Sequence, residues 1–415
     1  MNTGRFFFFW FLLLATNATI NSQDLMWSTM IGSDKDEYIL NHVVDSRGNI
    51  YISGKTTGNL GGINKGRNDG FIIKLDGSGK VIWQSQFGSV DDEDVQWSAI
   101  DESGNIYVTG FTTGSLSGKN HGREDLFIAK YTPSGDLSWL KQFGTDSTDI
   151  AKSVCTDGKG NVFIAGFTTG KLGNKSVGGS DCFILKLDYS GNLISTVQFG
   201  TPANDQLNSI VVNTEGLPRT CGTTWGVTDG SNKGFIDCFA CWFKKDLSEP
   251  TYLQFGTDGF DIPLVVAADK DDNLYIGGST SGSLGGDQAG DGDCFLVKVD
   301  AGKNILWKKQ FGTDHHDGVR GICINEKVMG NIFVSGIMNL PPERAFVRSY
   351  SPGGDMVWEK TIEKAAGEGG ASGKAITLSD DGSLVHAGLT MIPLFGPLTG
   401  GSDIYMVRYK VTPGK

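Results

Sequence analysis

Histidine is scarce in this 415-residue sequence, with only 5 copies, and proline is held to 11. None of the histidines (His42, His121, His315, His316, His386) has a metal-ligand partner at helical spacing. No Gly-x-Ser-x-Gly or other nucleophile motif occurs either. Positive charge is in deficit, with 36 Lys and Arg against 47 Asp and Glu, a net charge of -11. That excludes sequence-independent nucleic-acid binding, which requires basic surface. Beyond residue 15 no run is long and apolar enough to span a bilayer. No segment sustains a 3.6-residue period, and 60 glycines exclude a coiled coil or long-helix protein. Those glycines do not recur at every third position, so collagen is excluded as well. An apolar content of 39% with little net charge per residue excludes a disordered chain.

The N-terminus has the pattern of a targeting segment. Arg5 precedes an unbroken apolar run, Phe6 to Ala15, too short for a membrane span and suited to a signal-peptide core. Thr16 and Ala18 supply small residues for a cleavage site, placing the cut between Ala18 and Gln23. Residues 1–23 are therefore expected to be a signal peptide, and the mature chain to be secreted with no membrane span.

What fills the rest is a repeat. Phe-Gly occurs at Phe87, Phe143, Phe199, Phe255 and Phe311, each 56 residues after the last, and Ile31-Gly32 lies the same distance ahead. A seventh unit begins near residue 362, after a sixth that is five residues short. In the first unit, Tyr38–Asp45, Asn49–Lys55, Asp69–Leu75 and Lys80–Phe87 are short runs rich in β-branched and aromatic residues, bounded by Gly, Asn and Asp. Each unit thus predicts a four-stranded antiparallel meander, strands A to D.

Seven such units predict an all-β, seven-bladed β-propeller. The last unit ends on a strand C match, Asp403–Tyr409, and lacks a strand D, while Asp24–Met30 matches strand D and precedes the first unit. The N-terminal strand would complete the last blade and remove an open sheet edge. Residues 24–415 then form a single propeller. The pattern D-x-x-G-N-x-Y-x-x-G-x-T-x-G, then G-x-x-D-x-F-x-x-K, then W-x-x-Q-F-G, resembles the SBBP type of β-propeller repeat. That resemblance implies the fold and a secreted or cell-surface setting, and no single activity. Unit four departs from it at Leu217-Pro218, so distortion is expected there and in the short unit six.

Several positions recur. Strand B carries a glycine (Gly54, Gly110, Gly166, Gly222, Gly278, Gly336, Gly388) and strand C an aromatic (Phe71, Phe127, Phe183, Phe239, Phe295, Phe346, Tyr405). A ring covering the bare glycine between neighbouring sheets accounts for both. The strand D tryptophans (Trp27, Trp83, Trp139, Trp307, Trp358) would fill the outer part of the same layer. Lys74, Lys130, Lys186, Lys298 and Arg408 follow the strand C aromatics and are expected to neutralise carboxylates between blades. The A–B turns read Asp-x-x-Gly-Asn, with glycine at a positive φ and Asp capping the turn. Asp269, Asp271 and Asn273 have the alternate spacing of a calcium loop but lack its glycine and distal carboxylate.

Two series of carboxylates recur toward the opposite face. Glu37, Glu93, Asp149, Asp205, Asp261, Asp317 and Glu368 stand in the D–A connections. Asp69, Asp125, Asp181, Asp237, Asp293 and Asp403 precede strand C. Two readings are open: caps for loop amides, or a cation-attracting mouth to the channel, with calcium as the candidate ion.

Of the seven cysteines, five replace apolar strand residues and read as buried thiols. Blade 4 holds Cys221, Cys238 and Cys241, where an oxidising setting would allow Cys221 to pair with either of the others. Asn174-Lys175-Ser176 is an N-glycosylation sequon in a B–C loop.

The function expected is a secreted, monomeric, non-catalytic extracellular binding or scaffold/matrix protein, whose partner is an extracellular protein, glycan or mineral surface. A polysaccharide-directed hydrolase or lyase is the alternative, for which His315, His316 and Arg320 are the residues on offer. Lectin-like binding is the other, for which Trp225 and Phe235 stand out in the B–C loops.

Overall fold

The computed structural model describes residues 24–173, 176–230, 232–248, 250–326, 330–339, 343–362 and 370–411. The signal-peptide expectation for residues 1–23 lies outside them. Among the described residues, no helix is long and apolar enough to cross a membrane.

The strands form seven four-stranded antiparallel sheets, each built from consecutive strands except the last. Blade 1 comprises strand A (Glu37–Val44), B (Ile50–Thr56), C (Asp69–Leu75) and D (Val81–Phe87). Blades 2 to 6 repeat that order and begin at Glu93, Asp149, Asp205, Asp261 and Gly318. Blade 7 takes A (Ala371–Leu378), B (Leu384–Thr390) and C (Asp403–Lys410) from the C-terminus, and its strand D is Asp24–Ile31. The register sets Ile31 opposite Ile404 and Thr29 opposite Met406, so the first strand closes the ring. Blades 4 and 6 keep four strands. In blade 4, Pro218 opens strand B opposite Val212, at the strand start where its missing N–H is tolerated.

Turn chemistry follows the repeat. Asp45 Oδ1 accepts the N–H groups of Arg47 and Asn49, both at 2.9 Å, and Gly48 adopts φ 79°. The core is a set of layers between successive sheets. Ile52, Phe71 and Ile73 of blade 1, for instance, are buried against Val385, Ala387 and Met406 of blade 7.

Strand A of every blade carries a β-bulge, which strict two-residue alternation does not anticipate. In blade 1 the pairing with strand B jumps from Ile39 to Asn41 and skips Leu40. The bulge explains the strand B glycine. A Cβ on Gly54 would overlap the carbonyl oxygen of Tyr38 and crowd the ring of Phe71. Phe71 sits directly opposite Gly54 in the same sheet, so the ring covers the glycine within a blade rather than between blades.

Blades are clasped at their outer rims. The indole N–H of Trp27 donates to Gly77 O at 2.9 Å, that of Trp83 to Pro133 O at 3.2 Å, and that of Trp139 to Tyr189 O at 3.2 Å. Each acceptor lies in the C–D turn of the next blade. The strand C cations reach the same turns: Lys74 Nζ donates to Pro133 O at 2.9 Å and Arg408 Nη1 to Gly77 O at 2.8 Å. Lys74 and Lys130 also lie over the Tyr51 and Tyr107 rings. Carbonyls and rings, rather than carboxylates of the next blade, are their partners. Of these cations, among the described residues, Arg408 alone reaches a carboxylate, Asp381 of its own blade, at 3.0 Å.

The expected disulfide does not form; all seven cysteines are free thiols. Ala240 stands opposite Cys221, Thr223 opposite Cys238 and Thr220 opposite Cys241. Cys238 is thus diagonal to Cys221, a residue separation of about 7–8 Å that exceeds disulfide reach. Cys241 belongs to the opposite sheet face.

Candidate functional site

The two carboxylate series occupy the loop face, in the interior of the loops. Glu37, Glu93, Asp149 and Asp261 are fully buried, and Asp205 and Asp317 nearly so. Each is spent on its own D–A loop. Glu93 accepts the N–H and the O–H of Ser89, both at 2.7 Å, and the O–H of Thr112 at 2.7 Å. Asp149 does the same with Thr145 and Thr168. The second series caps the B–C loops. Asp69 accepts from Lys65 N at 3.0 Å and Gln86 Nε2 at 3.1 Å, and Asp181 from Val177 N at 2.8 Å and Gln198 Nε2 at 2.8 Å. Asp125, Asp237 and Asp293 repeat the glutamine bond. Asp403 takes Thr399 N at 2.8 Å. The Gln of the Gln-Phe-Gly motif is therefore a loop clamp, a role that the sequence pattern alone did not suggest.

The two series meet at the glycine after Phe. A Cβ on Gly88 would overlap Asp69 Oδ1 and crowd Glu93 Oε2, and one on Gly312 would lie 2.6 Å from both Asp293 and Asp317. Burial pushes the carboxyls of Glu37, Glu93 and Asp317 above their ordinary range, against the lowering effect of their Ser and Thr donors. These carboxylates form loop interiors, and one oxygen each of Asp125, Asp205, Asp237 and Asp293 is buried without a hydrogen-bond partner among the described residues. Glu368 lies outside the described residues, as does Asn174 of the sequon. Among the described residues, no group of three or more His, Cys, Asp or Glu side chains is arranged to hold a metal ion. In the Asp269 turn, Asp269 Oδ1 accepts Asp271 N at 3.0 Å and Asn273 N at 2.9 Å, the ordinary capping pattern.

The catalytic candidates are not brought together. His315 is half-exposed and bonded to Asp314 at 2.9 Å, His316 is an exposed loop residue, and Arg320 lies further down strand A. His42 and His386 are buried at the seam between blades 1 and 7, and burial holds both rings neutral, at pKa values of about 4 and about 3.

Two features break the symmetry of the molecule. The first is the channel. The residue skipped by each strand A bulge is Leu40, Gln96, Lys152, Asn208, Leu264, Arg320 and Lys374 in blades 1 to 7. All seven line one cavity of about 240 Å³ on the propeller axis. The second is a pair of loop positions on the face that holds the carboxylates. In one sector they carry Arg67 and Asp92, 3.8 Å apart. In the sector between blades 4 and 5 they carry Phe235 and Phe260, stacked with ring centroids 5.6 Å apart and planes 18° apart. Phe235 is 69% exposed and Phe260 48%. Trp225 and Val227 are exposed on the same blade 4 loop.

Seven radially arranged four-stranded sheets, closed by a strand from the opposite terminus, define a β-propeller of tandem repeats. The repeat is of the SBBP type: the family model of the SBBP β-propeller repeat matches residues 138–174, from strand D of blade 2 into the B–C loop of blade 3. In sequence the chain is similar to the regulatory protein FlaEY of Caulobacter vibrioides, with 27% identity over 45% of this chain and 20% of that protein. It is also similar to an uncharacterized WD repeat-containing protein, L264, of Acanthamoeba polyphaga mimivirus, with 28% identity over 28% of this chain and 10% of that one. The matched stretches span a fifth or less of those curated relatives. Among solved structures it is similar to a polysaccharide lyase, an ulvan lyase, at TM-score 0.54 and 14% identity over 91% of this chain and 95% of that one. At that identity the likeness speaks for the fold alone.

Proposed function

We propose that this chain is a secreted, non-catalytic binding propeller that holds an extracellular glycan on the loop face between blades 4 and 5. The observation that carries the reading is the exposed Phe235–Phe260 stack beside Trp225. Elsewhere the recurring aromatics are buried in the layers between blades, where they serve packing. Here two rings are held parallel in water, at positions that take an ion pair in another blade. Flat aromatic surface of this kind is costly to leave solvated and suits the apolar face of a sugar ring. The hydrogen bonds from loop N–H groups to the carboxylates support a scaffold built for rigidity, and favour this reading over the calcium or mineral-surface variant.

The test is a polysaccharide binding screen with the mature protein, alongside Phe235→Ala/Phe260→Ala. Saturable binding lost in the double variant, with an unchanged melting temperature, is the expected result. Binding that survives the double substitution would remove the aromatic face from the reading. New reducing ends or unsaturated sugars appearing during incubation would replace binding with the hydrolase or lyase alternative.

A further inference from the structure

The channel is lined by a position that the repeat leaves free to vary. Its flanks are constrained: the residue before each bulge abuts the strand B glycine, and the residue after it resumes the ladder. The skipped residue has no ladder partner and projects to the axis. Seven copies read Leu, Gln, Lys, Asn, Leu, Arg, Lys, with three cations and no carboxylate. In a protein of net charge -11, a ring of this composition is against the overall balance.

The cations converge from two sides. Arg320 and Lys374 stand on adjacent blades 6 and 7, and Lys152 faces them from blade 3. All three residues are half-buried, and that burial disfavours their charged forms. Arg320 and Lys374 also repel each other, and Lys374 is held at about 8. Their anionic neighbours only partly offset this. Glu343 acts on Arg320 and Lys374 from the loop face, and Asp94 acts on Lys152 while ion-paired to Lys55. Among the described residues, none of the three cations forms an ion pair with a carboxylate. Lys152 Nζ donates to Gln96 Oε1 at 3.2 Å, a neutral acceptor. The Arg320 Nε–H is buried with no acceptor among the described residues. A buried guanidinium N–H without a partner is costly, and so is the repulsion between two adjacent, half-buried cations. One group satisfies both: an oxyanion on the axis, which accepts from the guanidinium fork and screens the ammonium groups.

We infer that the ring of Lys152, Arg320 and Lys374 in the central channel is a binding site for a divalent oxyanion of sulfate or phosphate size, free or carried on a larger ligand that enters the channel. The amides of Gln96 and Asn208 complete the lining, and Leu40, Leu264 and Trp97 keep the rest of the wall apolar. The cavity of about 240 Å³ exceeds such an ion and leaves room for several waters. A second cavity of about 310 Å³, lined by Glu343, Ser372 and Met391, shares Lys374 with the ring.

The experiment is calorimetric titration of the secreted mature protein with sodium sulfate and with sodium phosphate at constant ionic strength, against sodium chloride. One-to-one saturable binding of at least one divalent oxyanion, weakened tenfold or more by Arg320→Gln and by Lys374→Met, is expected. Arg67→Gln, an exposed cation on the loop rim, is expected to leave affinity unchanged. Absence of saturable binding, or equal weakening by the rim variant, would overturn the inference. If the channel variants do not fold, crystals of the wild-type protein soaked in selenate decide it. An anomalous selenium peak at Arg320 is expected, and a channel with no peak overturns it. A sulfated or phosphorylated oligosaccharide binding more tightly than the free ion identifies a carried group; equal affinity identifies the free ion.

Discussion

Arg219 of blade 4 grips Asp272 of blade 5 in a bidentate ion pair, with Nε 3.1 Å from Oδ1 and Nη2 2.6 Å from Oδ2. Asp272 occupies the turn position that Gly48 and Gly104 fill in other blades, and it adopts φ 61°. A non-glycine residue in the left-handed region is strained. The strain is retained because Arg219, only 5% exposed, needs that carboxylate.

Asp272→Gly is therefore expected to destabilise the protein even though it restores the turn residue of the repeat. Relief of the left-handed conformation contributes about 1 kcal/mol. Stranding a buried arginine costs about 3–5 kcal/mol. A net loss of about 2–4 kcal/mol in urea unfolding is the expected difference between those two effects. A variant as stable as wild type would show that the pair contributes little.

Acid should open the seam between blades 1 and 7. The folded-state pKa values of His42 and His386 are lowered to about 4 and about 3, so between those values and 6.5 the unfolded chain binds more protons. Stability from these rings is complete above pH 6.5 and is lost as pH falls toward 4. Glu37, Glu93 and Asp317, whose carboxyls are raised, act with the opposite sign: their contribution is greatest in acid and fades as pH rises through their folded values. For His42 alone the loss is on the order of 3 kcal/mol. His42→Leu should flatten the unfolding free energy measured between pH 6.5 and 4, and an unchanged slope would place the acid sensitivity elsewhere.

Removing residues 24–31 should expose the strand C edge of blade 7. Ile31 leaves a core layer that contains Ile404 and Met406, and the freed ladder becomes a template for other chains. The shortened protein is expected to oligomerise in size-exclusion chromatography. A synthetic peptide of residues 24–31 added during refolding should restore a monomer, and failure of the peptide to do so would argue against edge exposure as the cause.

Glycines of the repeat should differ sharply in tolerance. A Cβ on Gly110 would overlap the carbonyl oxygen of Asp94 at the strand A bulge, whereas one on Gly118 meets nothing within 4 Å. Gly110→Ala is expected to cost about 3 kcal/mol or more through backbone displacement. Gly118→Ala should cost about 1 kcal/mol, from its φ of 103° alone. Thermal unfolding of the two variants side by side separates these cases, and similar melting temperatures would remove the bulge as the reason for the strand B glycine.

The repeat made the propeller legible because each blade is a local object. Strand lengths, turns such as Asp45–Asn49 and the missing last strand are settled within one 56-residue unit or by counting units. The resemblance of the repeat pattern to the SBBP type led to the same fold. That Gly54 and Phe71 belong together was legible in their recurrence, whereas their pairing across one hairpin, rather than between sheets, came from the register.

What tertiary structure alone decided is where side chains point once seven copies close on an axis. Alternation along strand A cannot reveal a bulge, and the bulge turns Lys152, Arg320 and Lys374 from blade surface into channel lining. Charge count likewise left the carboxylates open between loop caps and an ion-attracting mouth, because a sequence does not show the Ser, Thr and Gln donors that meet them. Periodicity and turn chemistry act over a few residues and survive in the sequence. Burial, electrostatic field and the meeting of Phe235 with Phe260 depend on chains brought together in space.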